Sequence, residues 1–197
     1  MRTYNPPIDV LLLCTANQCR SPMAEVLLRH HLAAVAVAAT VSSAGLYEGG
    51  VPATAHGRAA MASRGLDLEA HRSRQIDPEM VAAADLIIGM TREHVREVAV
   101  LDPSALAKAF TLKELVGRAE VMGPRSVDEL VAPWIARLAG GRRCADLLGV
   151  GHDDAIDVED PVGRGSTDYE ITANLLDDLL ARFVALAWPA GAGEEVA

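Results

Sequence analysis

An apolar run that ends at a cysteine constrains this chain more than any other feature. Val10–Leu13 contains no polar residue and leads directly into Cys14. Such a run favours a strand that is covered on both faces in a parallel sheet. After a short polar segment, Ser21-Pro22 supplies an N-cap residue and a proline suited to the first position of a helix. The sequence therefore predicts a strand, a loop and a helix in this order.

The alternation of strands and helices continues along the chain. Further strands are predicted at Thr40–Ala44, Asp85–Met90 and Ala109–Leu112, and further helices at Ala55–Arg64, from Asp77-Pro78, from Thr91 to about Leu101, and from a Thr167-x-x-Glu170 capping box to about Leu186. This alternation favours an α/β fold with right-handed crossovers. We expect one doubly wound domain with a central, mostly parallel four-stranded sheet flanked by helices. The loop after its first strand is a natural ligand site.

The periodic pattern weakens in one part of the chain. The length of 197 residues suits a single domain over 1–197. We predict an insertion at about 121–157, with a helix at Val127–Leu138, and a flexible tail at 189–197. Trp134 lies on an apolar stripe of the predicted helix. That stripe either packs on its own domain or anchors another chain.

Charge and hydropathy exclude several classes of partner. Lys and Arg number 18 against 27 Asp and Glu, which gives a net charge of −9. The chain has no Lys/Arg-rich run, so we expect no nucleic-acid partner. No apolar run approaches the ~20 residues that a membrane-spanning helix needs. We therefore predict a cytoplasmic protein that does not enter a membrane.

The loop Cys14–Ser21 carries a cysteine and an arginine at its two ends. A loop of this length can point successive backbone N–H groups inward, towards the oxygens of a phosphoryl group. The planar guanidinium of Arg20 can bind two of those oxygens at once. The same positive field favours the nucleophilic thiolate form of Cys14. The pattern therefore predicts attack by Cys14 on a bound phosphate, with a phosphocysteine intermediate, rather than a small buried hydrophobic cysteine.

The leaving group of such a reaction needs a proton. Asp160 precedes Pro161, which stiffens the backbone there. We predict that Asp160 is the general acid and that it later activates the hydrolytic water as a base. A simple turn residue before a proline is the alternative interpretation.

The segment Cys14–Glu25, CTANQCRSPMAE, resembles the phosphate-binding loop and first helix of the low molecular weight protein tyrosine phosphatases. Four later segments are similar to further landmarks of this family: Ser43–Gly45, His71–Gln75, Ala84–Met90 and Asp160-Pro161. The resemblance implies a reaction on a phosphorylated protein without metal or cofactor. Cys14 would be its nucleophile, Arg20 its phosphate clamp and Asp160 its general acid.

The resemblance also implies roles for other polar residues. The residues expected to bind phosphate or another oxyanion are Thr15, Ala16, Asn17, Gln18, Cys19, Arg20 and Ser21. The residues expected to form a supporting polar network are Asn17, Ser21, Ser43 and His71. Cys19 matches a neighbouring cysteine that can pair reversibly with the nucleophile in this family.

The substrate preference stays open at this point. Val162-Gly163 follows Asp160-Pro161 where the tyrosine phosphatases commonly have aromatic residues, and Ala16 replaces a usual glycine. Thr15, the stretch Phe110–Glu114 and the tail of the Asp160 loop resemble the bacterial protein arginine phosphatases. Gln18 stands where that branch has a threonine. The sequence therefore leaves phosphotyrosine and phosphoarginine as candidate substrates.

Two other functions are compatible with an oxyanion loop. A thiol-coupled arsenate reductase would need a relay of further cysteines, and Cys144 is the only thiol beyond Cys14 and Cys19. Alternatively, the chain could be a non-catalytic phosphate-binding module whose insertion contacts a partner. An intact set of Cys14, Arg20 and Asp160 argues against that second alternative.

Overall fold

Four strands form one parallel sheet in the computed structural model, which describes residues 6–143, 147 and 153–189. The strands are β1 (Ile8–Leu13), β2 (Ala39–Ala44), β3 (Leu86–Gly89) and β4 (Ala109–Thr111). Their order in the sheet is β2-β1-β3-β4, and each neighbouring pair is parallel. The predicted α/β fold with a four-stranded sheet is confirmed.

Helices connect and cover these strands. They are α1 (Arg20–Ala34), α2 (Ala55–Ala62), α3 (Pro78–Ala83), α4 (Arg92–Leu101), α5 (Leu112–Met122), α6 (Val131–Ala139) and α7 (Ser166–Ala187), with a 3₁₀ turn at Pro103–Ala107. Asp77 caps α3 as predicted, because its side chain accepts a hydrogen bond from the backbone N–H of Met80 at 2.8 Å. None of the helices in the described part of the chain is long and apolar enough to span a bilayer.

The loop after β1 lies at the topological switch point of the sheet, where the order in which strands are added reverses. The chain passes from β1 to β2 on one side and later returns to β3 on the other side, so that Leu13 pairs with both Ala44 and Gly89. In open parallel sheets, ligands bind at the carboxyl ends of the strands beside such a switch point. The loop that carries Cys14 and Arg20 occupies this position.

The sheet separates two apolar layers, and β1 contributes to both. Val10 and Leu12 point into the larger layer, which contains residues of α1, α5 and α7. Leu11 and Leu13 point into the smaller layer beside α3 and α4. Burial of each leucine stabilises the fold by about 1.5–3 kcal/mol. The unbroken apolar run is therefore explained by a strand that is covered on both faces.

Two predicted helix starts are wrong. Helix α1 begins at Arg20 with Cys19 at its N-cap, so Ser21 lies inside the first turn and is not the N-cap. Its hydroxyl donates to the sulfur of Cys14, whereas the hydroxyl of an N-cap serine would accept from a backbone N–H of the helix. Helix α7 begins at Ser166 with Gly165 at the N-cap and no side-chain cap. Thr167 is therefore already helical, and the predicted capping box does not form.

Helix α6, which lies in the predicted insertion, packs one face into the core. Helix α6 begins at Val131, four positions after the predicted start, and ends at Ala139. Trp134 is fully buried, with its ring centroid 6.2 Å from that of Phe183 in α7. Its own domain therefore covers Trp134, and the alternative of an anchor for another chain is wrong. Cys144 and 190–197 lie outside the described residues.

Candidate active site

Cys14 lies between the end of β1 and the N-terminus of α1. Its side chain is buried, and the hydroxyl of Ser21 donates to its Sγ at 3.0 Å. Its backbone N–H donates to the carbonyl oxygen of Ala44 at 3.3 Å, which ties the start of the loop to β2. A hydroxyl donor and a helix N-terminus both stabilise negative charge on a sulfur atom. The surroundings of Cys14 therefore suit a thiolate nucleophile.

Asn17 holds the middle of the loop in a left-handed conformation. Its φ angle is 51°, in a region that asparagine tolerates better than most residues. Its Nδ2 donates to the hydroxyls of Ser21 at 2.9 Å and Ser43 at 2.8 Å, and its Oδ1 accepts from the backbone N–H of Arg74 at 3.0 Å. The positive φ falls on Asn17 and not on Ala16, so replacing the usual glycine with Ala16 causes no strain of this kind.

The segment after β2 closes over the loop at very short range. The backbone N–H of Leu46 donates to the carbonyl oxygen of Thr15 at 2.7 Å. A Cβ atom on Gly45 would lie 2.7 Å from the backbone nitrogen of Asn17, so this approach requires a glycine. On another side, Nε2 of His71 lies 2.7 Å from the carbonyl oxygen of Asn17 and donates to it, since a carbonyl can only accept.

Arg20 is buried at the far end of the loop and is held from two directions. Its Nη1 donates to the carbonyl oxygen of Val158 at 3.0 Å, and its Nη2 donates to Oγ1 of Thr15 at 3.3 Å. Nη2 also forms an ion pair with the carboxylate of Asp160, which is about half exposed. The buried Nε has no hydrogen-bond partner among the described residues. The guanidinium is therefore fixed in place, while its Nε–H has no acceptor among the described residues and could donate to an oxyanion.

Asp160 reaches the loop because the chain before it is fastened to the start of α4. The backbone N–H of Val158 donates to the carbonyl oxygen of Met90 at 2.8 Å. The buried carboxylate of Asp157 accepts from the backbone N–H of Arg92 at 2.8 Å. Asp160 and Arg20 are 140 positions apart in the sequence, and these contacts bring them together.

Cys19 differs chemically from Cys14, although both are free thiols in the structure. Burial, with smaller contributions from the carboxylate of Asp160 and the sulfur of Cys14, raises the pKa of Cys19 to about 12. Cys19 therefore stays protonated at neutral pH and is a poor nucleophile.

The structure brings the predicted site residues to one place. Asn17 forms hydrogen bonds with Ser21, Ser43 and His71, as described above. The carbonyl oxygen of Gln18 accepts from the backbone N–H of Thr54 at 2.8 Å. Asp160 lies at the loop through its contact with Arg20.

Sequence reasoning missed several residues that act on the loop, and Arg74, Val158 and His94 are three of them. The backbone N–H of Arg74 and the carbonyl oxygen of Val158 contact it, but backbone contacts have no signature in a sequence. The third is His94, which is fully buried, with Nε2 at 3.3 Å from Oγ1 of Thr15. Burial, with a smaller effect of the Arg20 charge, lowers the pKa of His94 to about 3. The only sequence signal for His94 was its position, three residues after Thr91 at a predicted helix start.

Known proteins are similar to this chain in both sequence and structure. The sequence family described as low molecular weight phosphotyrosine protein phosphatase matches residues 9–129. The low molecular weight protein-tyrosine-phosphatase Etp of Escherichia coli K12 is 36% identical over 118 residues, which cover 59% of this chain and 76% of Etp. A protein-arginine-phosphatase of Geobacillus stearothermophilus is 37% identical over 112 residues, which cover 56% of this chain and 72% of that protein.

The fold also matches a solved structure over most of its length. A cysteine-to-serine mutant of the arginine phosphatase YwlE, with a phosphorylated active-site serine, superposes with a TM-score of 0.65. It is 28% identical to this chain, and the match covers 89% of this chain and 92% of the YwlE chain.

Proposed function

The chain belongs to the low molecular weight phosphotyrosine protein phosphatase family, and we propose from this premise that Cys14 removes phosphoryl groups from phosphorylated proteins. The observation that carries the proposal is the pair of buried groups at the two ends of one loop. Cys14 accepts a hydrogen bond from Ser21 at its sulfur, and Arg20 has an N–H without a partner among the described residues. A phosphoryl group bound by the loop would satisfy that N–H.

In the first step, the thiolate of Cys14 attacks phosphorus in line with the leaving group. The S–P bond forms while the bond from phosphorus to the leaving atom breaks. Arg20 binds the equatorial oxygens, on which negative charge develops. Asp160 in its protonated form transfers its proton to the leaving atom, which requires its carboxyl group to turn from Arg20 to the substrate.

In the second step, water attacks the phosphorus of the phosphocysteine. The carboxylate of Asp160 accepts a proton from that water and the S–P bond breaks, so that inorganic phosphate is released and the thiolate of Cys14 is regenerated. The phosphorylated serine in the YwlE mutant supports this covalent route. In that structural relative, the phosphoryl group is bonded to the active-site serine of a cysteine-to-serine mutant.

Two substrates are supported by separate observations. Tyr47 is exposed and directly follows Leu46, whose N–H contacts the loop, so its ring could stack on a phosphotyrosine ring. This arrangement supports phosphotyrosine as the first candidate substrate. Phosphoarginine is the second, because the Geobacillus relative is named a protein-arginine-phosphatase.

A comparison of three phosphopeptides tests the proposed function. We expect measurable kcat/KM with phosphotyrosine or phosphoarginine peptides and a much lower value with phosphoserine peptides. Cys14→Ser should abolish turnover but still bind inorganic phosphate, because the loop and Arg20 remain. Equal phosphate release by the wild type and Cys14→Ser would contradict the proposal.

The same protein preparations test the two alternative functions. Arsenite formation from arsenate with a thiol reductant would favour an arsenate reductase. Phosphate binding without any turnover would favour a non-catalytic module. Reversible pairing of Cys14 with Cys19 stays a prediction, to be checked by mass spectrometry after peroxide treatment.

A further inference from the structure

His94 is a buried polar residue to which the proposed mechanism gives no role. It lies in the first turn of α4, with no exposed side-chain surface. Its imidazole contacts both its own helix start and the loop after β1, through Thr91 and Thr15 respectively. A buried histidine that joins two elements in this way is a candidate for holding one of them in position.

The hydrogen bonds of His94 determine which ring nitrogen carries the proton. The backbone N–H of Thr91 donates to Nδ1 at 2.9 Å, so Nδ1 is an acceptor and has no proton. The hydroxyl of Thr91 lies 2.8 Å from the same nitrogen and can also donate to it. Because the low pKa of His94 keeps the ring neutral, the proton must be on Nε2. Nε2 is therefore a donor, and it points at Oγ1 of Thr15.

The hydroxyl oxygen of Thr15 thus accepts two hydrogen bonds. One comes from Nε2 of His94 and the other from Nη2 of Arg20, both at 3.3 Å. Two accepted bonds use the acceptor capacity of a hydroxyl oxygen, so its own proton is directed away from both donors. The Thr15 hydroxyl is therefore kept as an acceptor for Nη2 of Arg20. This bond remains when the carboxyl group of Asp160 turns from Arg20 to the substrate.

We propose that His94 is a positioning residue: it orients the Thr15 hydroxyl so that this hydroxyl holds the guanidinium of Arg20 in place for phosphate. The proposal rests on the proposed function of the loop. His94 itself touches neither the substrate nor the reacting atoms. Its effect passes through Thr15.

Variants of the full-length chain test the coupling between these two residues. His94→Leu removes the donor, and Thr15→Val removes the acceptor. We expect each to lower kcat/KM and to weaken the binding of inorganic phosphate about tenfold or more, since a catalytic group misplaced by about 1 Å can cost about 10²-fold. The double variant should lose no more than the worse single variant. Thr15→Ser, which keeps the hydroxyl, should restore most of the lost activity.

A matched control separates positioning from general loss of stability. Val98→Ala creates a cavity on α4 about one turn beyond His94 and away from the loop. It should lower the Tm but leave kcat/KM within about twofold of the wild type. Losses that simply multiply in the double variant, or a Thr15→Ser variant as poor as Thr15→Val, would overturn the proposal.

A second measurement needs no substitution and no turnover. Long-range ¹H–¹⁵N spectra of the labelled wild type should show His94 as the neutral tautomer protonated on Nε2, at neutral pH. A proton on Nδ1 would overturn the assignment of Nε2 as the donor. If the wild type hydrolyses none of the phosphopeptides, the proposed function fails, whereas the tautomer and the phosphate affinities still decide the role of His94.

Discussion

At the scale of single residues, Asn17 combines a positive φ angle with three side-chain hydrogen bonds, two of them buried and one partly buried. Asn17→Ala should lower the free energy of unfolding by about 2–4 kcal/mol, because buried partners lose their bonds and alanine disfavours positive φ. Urea denaturation measures this change. Asn17→Gly is the matched control: it should cost less than Asn17→Ala, since glycine adopts positive φ freely. An equal or larger loss with glycine would show that the backbone is not strained there.

Asp160 is the residue whose proposed role depends most on the substrate. Asp160→Asn should lower kcat/KM, which reports the first step, by about 10²-fold for a substrate with a basic leaving group such as phenyl phosphate, and much less for p-nitrophenyl phosphate. Steady-state kinetics on both esters measures the difference. Glu159→Gln removes the adjacent exposed carboxyl group and should leave both rates unchanged. A uniform loss of kcat/KM on both substrates with Asp160→Asn would indicate that Asp160 only holds Arg20.

The candidate site was predictable from sequence where its residues are close together in the chain. Cys14 and Arg20 could be identified because a buried strand precedes them and a helix start follows. The resemblance also implied a place for Ser21 in the polar network, and its hydroxyl donates to Cys14. The contact between His94 and Thr15 could not be predicted, because it depends on which side chains the sheet order brings together.

At the scale of secondary-structure elements, the turn after β2 controls the shape of the loop. Gly45→Ala would place a Cβ atom 2.7 Å from the backbone nitrogen of Asn17, so the two segments must move apart. We expect a loss of about 1–3 kcal/mol in the free energy of unfolding and a lower kcat/KM. Thermal denaturation and kinetics measure both effects.

The control for this prediction is the same substitution at an open position. Gly117 lies on an exposed face of α5, and a Cβ atom there would meet nothing within 4 Å. Gly117→Ala should stabilise the protein by up to about 1 kcal/mol, because alanine favours a helix. If Gly45→Ala behaved like Gly117→Ala, the close approach at Gly45 would not be required.

Most elements could be predicted because hydrophobic periodicity and turn residues are local signals. All four strands were located within about two residues, which is the usual accuracy for boundaries. The starts of α1 and α7 were misplaced, because the side chains expected to cap them lie inside the first turn. Trp134 could belong to a core or an interface by sequence alone, and only the packing against Phe183 decided between them.

At the scale of the whole molecule, His94 and Asp157 make the free energy of unfolding depend on pH in the acidic range. Burial of His94 lowers its pKa from the ordinary 6.5 to about 3. Between these two pH values, His94 therefore binds a proton in the unfolded chain but not in the folded chain. Burial alone would raise the pKa of Asp157, but hydrogen bonds from the backbone of Arg92 and Asp153 and from the Arg92 side chain lower it overall. Its stabilising effect is present above its ordinary pKa and is lost as pH falls through the lowered one.

The free energy of unfolding should therefore decrease as pH falls from about 6.5 towards 3. His94 contributes at most about 1.4 kcal/mol per pH unit to this decrease. Urea denaturation at several pH values measures the slope, and His94→Gln should make it shallower between about pH 6 and pH 4. An unchanged slope in His94→Gln would show that His94 is protonated in the folded protein.

The order of the parts along the chain has a consequence for synthesis. A ribosome releases Cys14 and Arg20 well before Val158 and Asp160, which emerge just before α7. Helix α7 packs on both α1 and α5, so the larger layer of the core stays open to solvent until α7 leaves the exit tunnel. A nascent chain thus carries Cys14 without Asp160 and without a closed core until α7 has emerged. Closure of the larger layer and the approach of Asp160 to Arg20 are then completed at the same stage of synthesis.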